Sequence, residues 1–159
     1  MRKISMVPFL AASVWLAGCA SQPPGPSAMR SETCKATSEQ EIAALFDRWN
    51  QSLQTGDVHK VVANYAPKSV LLPTISNTPR LDAAQKEDYF KLFLQSQPFG
   101  RIDSRTIQIG CNTAVDVGLY TFTFAKTGAV VKARYTYTYQ WDGKQWLITS
   151  HHSSAMPEK

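Results

Sequence analysis

Nowhere in this 159-residue chain do more than two lysines or arginines stand together, and that lack of clustered positive charge argues against a nucleic-acid partner. Cysteine and histidine are also scarce, at three each. There is no glycine-rich phosphate loop, no serine nucleophile elbow and no cofactor fingerprint, so no cofactor is expected. No apolar run reaches the roughly 20 residues that a membrane-crossing helix needs. What is present fits one domain with a core of its own: 43% of residues are hydrophobic and 11% aromatic, too few residues in all for two domains.

At the front, Arg2 and Lys3 precede an uncharged, mostly apolar run from Ile4 to Ala17 that ends in Leu16-Ala17-Gly18-Cys19. Its length reads as a signal peptide, residues 1–18, rather than a membrane span. The last four residues resemble the bacterial lipobox. That resemblance implies cleavage before Cys19 and attachment of palmitate-type acyl chains to it. Two or three chains there would tether the protein durably to a membrane. Ala20 and Ser21 include no aspartate of the kind that retains such proteins at an inner membrane. The resemblance therefore places the chain in a bacterial cell envelope, on the outer membrane facing the periplasm where two membranes exist. Cleavage removes two basic residues and takes the formal charge from +5 to +3. Residues 19–37 contain Gln22-Pro23-Pro24-Gly25-Pro26-Ser27 and read as an extended, lipidated tether.

Two cysteines remain, Cys34 just before the domain and Cys111 inside it. An exported chain meets an oxidising compartment, so the two are expected to pair. Neither has a histidine nearby in sequence that would activate it as a nucleophile.

The domain begins with a helix. Ser38 and Glu41 form a capping box, Ile42, Leu45, Phe46, Trp49 and Leu53 recur at helical spacing, and Gly56 stops the run. Asp57 caps a second, short helix carrying Val58, Val61, Val62 and Tyr65, which Pro67 ends. Ser69 to Pro73 reads as a short strand. A third helix follows Asp82 and runs to about Ser96, closed by Pro98 and Gly100. Strands are then expected at Ile102 to Gly110, Ala114 to Ala125, Val130 to Trp141 and Gln145 to Ser154. Helices first and a meander after give an α+β domain, a curved, cone-shaped antiparallel sheet covered on one face by three N-terminal helices.

Several motifs carry a family resemblance over residues 38–158: Leu53 to Asp57, Tyr65-Ala66-Pro67, Trp141-Asp142-Gly143-Lys144-Gln145-Trp146 and His151-His152-Ser153-Ser154-Ala155-Met156-Pro157. With the order of elements, they resemble the SnoaL-like, or nuclear transport factor two-like, superfamily. Within it they resemble bacterial relatives of the calcium/calmodulin-dependent protein kinase II association domain. No kinase domain accompanies it. The resemblance implies homo-oligomers, dimers or larger rings, and a pocket that in the kinase hub is rich in arginines and takes small carboxylates. Here the motif puts Ser153 in the place of one pocket arginine and Thr136 near a second, with Tyr120 near a third. Arg134, on the same face as Thr136, is the one comparable charge. The expected pocket set is therefore Tyr120, Arg134, Thr136, His151 and Ser153.

Along Val130 to Trp141 the side chains alternate. Val131, Ala133, Tyr135, Tyr137, Tyr139 and Trp141 share one face, and Lys132, Arg134, Thr136, Thr138 and Gln140 share the other. The aromatic row reads as packing under the helices or in a subunit interface, and Tyr137 is the residue to test there. His151 and His152 point to opposite faces, so they cannot converge on one metal ion, and His59 lacks metal-motif spacing. No metal site is expected. If the protein is an enzyme of isomerase, cyclase or hydrolase type, Asp116 with His151 across the sheet is the catalytic pair. Otherwise Asp116 reads as a solvated residue at a strand end. The leading expectation is an envelope lipoprotein whose domain oligomerises and binds a small ligand of unknown identity.

Overall fold

The computed structural model describes residues 33–157; the expected signal peptide, Cys19 and most of the tether lie outside the described residues. Helix α1 (Glu39–Gln54) starts at the capping box: Glu41 N–H donates to Ser38 Oγ and Ser38 N–H donates back to Glu41 Oε2. Its buried stripe is Ile42, Leu45, Phe46, Trp49 and Leu53. Asp57 caps α2 (Val58–Val62) by accepting from His59 N–H. Strand β1 (Tyr65–Leu72) follows, then α3 (Ala83–Phe93) with a 3-10 turn at Leu94–Ser96. The last four strands are β2 (Pro98–Ile109), β3 (Thr113–Phe124), β4 (Ala129–Trp141) and β5 (Trp146–Ala155).

The five strands form one sheet in the order β1-β5-β4-β3-β2. Strands β2 to β5 pair antiparallel as a meander, while β1 joins the outer edge of β5 in parallel, one departure from the expected all-antiparallel sheet. Two further boundaries differ for the same physical reason. Tyr65 belongs to β1 rather than to α2, and β1 passes through Pro67; β2 begins at Pro98. Both prolines lie on edge strands, where a missing N–H removes no ladder hydrogen bond. Asn50 holds the start of β2 against α1, with 2.8 Å hydrogen bonds to both the carbonyl and the N–H of Gly100. At the bulge between Ile102 and Ser104, Gly118 lets the strands close: a Cβ there would lie 2.0 Å from the Ser104 carbonyl oxygen.

The helices cover one face of the sheet, and the tyrosine row of β4 is that face. Tyr137 meets Trp49 and Phe46 of α1 at ring-centroid distances of 5.8 and 6.2 Å, and Tyr135, Tyr137 and Tyr139 are all buried. Apolar burial decides the orientation: three aromatic rings gain far more under the helices than Arg134 and Thr136 would. The strict period of two then fixes the rest. Arg134 and Thr136 consequently lie on the outer face, Arg134 exposed and Thr136 half-buried, so neither takes the pocket position expected of it. Tyr137 likewise belongs to the core and not to a subunit interface.

Outside the sheet, Cys34 and Cys111 form a disulfide that fastens the start of the domain to the β2–β3 turn. Lys35 N–H donates to Asn112 Oδ1 beside it, at 2.8 Å.

Candidate ligand-binding site

The inner face of β3, β4 and β5, the helix α3 and the segment after β1 enclose a cavity of about 230 Å³. Its walls are chiefly aromatic, with Trp49 from α1, Tyr89 and Phe93 from α3, and Phe122 from β3. No described residue lining it is an aspartate, glutamate, lysine or arginine. Three of the expected residues, Tyr120, His151 and Ser153, do line it, because they share the inner parity of their strands.

The polar groups fall into two sets. Tyr120 Oη–H donates to Ser153 Oγ, and Ser153 Oγ bonds Thr74 Oγ1 from the segment after β1, so the three hydroxyls form one hydrogen-bonded chain. Burial pushes the Tyr120 phenol well above its usual value, and Tyr89 up to about 12. The second set is a relay. Trp49 Nε1–H donates to Tyr65 Oη at 3.2 Å, and Tyr65 Oη lies 2.8 Å from His151 Nδ1. Since Tyr65 already accepts from Trp49, its own proton goes to Nδ1. His151 is 4% exposed, and burial lowers its pKa to about 3, so the ring is neutral and its proton sits on Nε2. That atom is buried and has no hydrogen-bond partner in the protein.

Asp116 is not a solvated strand end. It is fully buried at the fourth position of β3, with Arg105 Nη2 3.1 Å from Oδ2, and with Oδ1 accepting from Arg105 Nε at 3.2 Å and from Tyr135 Oη at 2.8 Å. Burial holds its carboxyl above the usual range, against the downward pull of Tyr135 and Arg105. Asp116, Tyr137 and His151 are successive partners across three strands, so Tyr137 stands between the carboxylate and the imidazole. The expected pair is on one face but not in contact through its side chains.

The histidines separate as their parity requires: His151 is inside, His152 is exposed, and His59 is on the surface beside Glu87. Among the described residues no group of three His, Cys, Asp or Glu is gathered to hold a metal ion. No helix among them is long and apolar enough to cross a membrane. Sequence reasoning missed Thr74, Tyr65 and Trp49 as parts of the site. Tyr65 alone carried a signal, in the motif Tyr65-Ala66-Pro67.

Comparison with known proteins is specific. The calcium/calmodulin dependent protein kinase II association domain family matches residues 38–157. The chain belongs to that family. A crystal structure from Xanthomonas campestris, described as a calcium/calmodulin dependent protein kinase II association domain, is 48% identical and superposes with a TM-score of 0.73 over 80% of this chain and 98% of that one. An NTF2-like protein of unknown function from Pseudomonas putida KT2440 shares the fold at 19% identity, with a TM-score of 0.67 over 79% of this chain and 92% of its own. So does a protein from Streptomyces avermitilis described as a dehydratase of the NTF2-like family, at 9% identity and a TM-score of 0.66 over 75% and 96%. Among curated protein sequences none matches. In this association domain the cavity is walled by aromatics and neutral polar groups, with Arg134 on the outer face of the sheet and Arg105 tied to Asp116.

Proposed function

We propose that this chain is a lipid-anchored envelope protein whose association domain homo-oligomerises and holds a small molecule in the cavity against His151. The observation that carries the reading is the buried, unpartnered Nε2 of His151 on the wall of an aromatic cavity. Assembly is supported by the outer face of the sheet, which exposes Phe99, Val117, Leu119 and Val130 next to Lys132 and Arg134, and by the association domain that gives the family its name. Anchoring is supported by Leu16-Ala17-Gly18-Cys19.

Three measurements test it. Native mass spectrometry and sedimentation of residues 30–159 should give a dimer or larger species at tens of micromolar, and Leu119→Arg should dissociate it; a wild-type monomer sinks the assembly. Native mass spectrometry should also show a small molecule released on denaturation. Metabolic palmitate labelling should disappear in Cys19→Ser, and its persistence removes the anchor.

A second reading, an enzyme of isomerase, cyclase or hydrolase type, is supported by Asp116 being buried on the same inner face as His151. Under that reading Asp116→Asn abolishes turnover of the released molecule without releasing it from the cavity.

A further inference from the structure

The cavity's chemistry narrows what it holds. We propose that it takes an uncharged, largely apolar molecule bearing one carbonyl oxygen, and that this oxygen accepts a hydrogen bond from His151 Nε2–H. The inference rests on the ligand-binding reading above and specifies its ligand class.

The relay fixes the donor. Were the His151 proton on Nδ1, it would have to donate to Tyr65 Oη, which already accepts from Trp49, and the buried Tyr65 proton would have no acceptor. With the proton on Nε2, every group of the relay is satisfied except Nε2 itself. The ring cannot swing to find another partner. Tyr137 stacks on it at 4.1 Å, and Trp49 stands edge-on to it at 5.4 Å. The hydroxyls of Tyr120, Ser153 and Thr74 are each engaged in one chain of hydrogen bonds, so among the described residues lining the cavity His151 Nε2 is the buried side-chain polar atom that has no partner at all.

Charge decides between acceptors. A carboxylate would lose its hydration on entering, and no lysine or arginine among the described residues lines the cavity to compensate. Arg134, the cation that a carboxylate would need, is on the opposite face of the sheet. A ketone, ester or lactone oxygen pays far less desolvation and still satisfies Nε2–H. The aromatic walls accommodate the remainder of the molecule by area burial.

The test uses the full chain in nanodiscs, with empty nanodiscs correcting for partition into lipid, and three probes of similar shape: acetophenone, ethylbenzene and benzoate. The proposal expects acetophenone to bind roughly tenfold tighter than ethylbenzene, benzoate to bind weakest, and acetophenone alone to move the His151 Nε2–H resonance in a 15N-histidine spectrum. His151→Phe should retain ethylbenzene and lose the preference for acetophenone. The spectrum of the wild-type chain decides the matter even where that variant does not fold. Equal binding of acetophenone and ethylbenzene, or tightest binding of benzoate, overturns the proposal and leaves the ligand-binding reading standing. Failure of all three probes to bind overturns the proposal, while the molecule sought by native mass spectrometry tests the ligand-binding reading separately.

Discussion

The imidazole of His151 stacks on the phenol ring of Tyr137 with centroids 4.1 Å apart and planes inclined by 26°. This contact ties the cavity to the deepest part of the core, because Tyr137 also packs against Phe46 and Trp49 of α1. It also keeps His151 apart from Asp116, so the two buried titratable groups respond to pH separately.

His151 should make the fold acid-sensitive. Its pKa is about 3 in the folded chain and 6.5 when unperturbed, so the unfolded chain takes up the proton first as pH falls. The stability it contributes is complete above pH 6.5 and is lost between there and about pH 3, at up to about 1.4 kcal/mol per pH unit. Urea unfolding of wild type and His151→Phe at several pH values checks this. The difference between the two should slope across that window and be flat above it.

Tyr137→Ala should cost about 4 kcal/mol of stability, as for other large buried aromatics, with the loss seen in thermal or urea unfolding of the domain. Tyr137→Phe should go the other way. The Tyr137 hydroxyl is buried without a partner, and removing it should stabilise the domain by about 1 kcal/mol while leaving its sedimentation unchanged.

Asp116→Asn should lower stability by about 3 kcal/mol, because it leaves the partly buried Arg105 guanidinium without its counter-charge. Replacing the pair together, with Asp116→Asn and Arg105→Met, should recover part of the loss. A double-mutant cycle in urea measures the coupling, and additive losses would show that the pair does not act as a unit.

Reduction of Cys34–Cys111 should destabilise the domain by about 4 kcal/mol, since the bridge closes a loop of 77 residues in the unfolded chain. Titration of the denatured, unreduced chain should find neither cysteine as a free thiol, and Cys111→Ala should lower the midpoint of unfolding as much as a reductant does.

The helices and the meander were legible because their signals are local. Ser38 with Glu41 announces α1, and the alternation from Val130 to Trp141 announces β4 and its two faces. Which face turns inward is not local. It is decided by Phe46 and Trp49, about ninety residues away in sequence, seating on Tyr137. Two of the pocket residues, Arg134 and Thr136, were misplaced for that one reason. Tyr120, His151 and Ser153 were placed by the family motif and share the inner parity. Asp116 read as solvated because its partner Arg105 sits on a different strand, and pairing across a bulged hairpin leaves no trace in spacing. The relay from Trp49 through Tyr65 is similarly hidden, joining a helix, an edge strand and the last strand.

The Cys34–Cys111 bridge also decides how the domain carries mechanical load. A pull on the chain ahead of Cys34 passes through the bridge to Cys111 and into the end of the β2–β3 hairpin, bypassing the residues between. Helices α1, α2 and α3 and strands β1 and β2 all lie inside that covalent loop. About 250 Å of contour length is thereby withheld from extension while the bridge is closed. A domain pulled by the chain ahead of Cys34 would thus resist unravelling from its front, and the helical wall of the cavity would be the part most shielded from the strain.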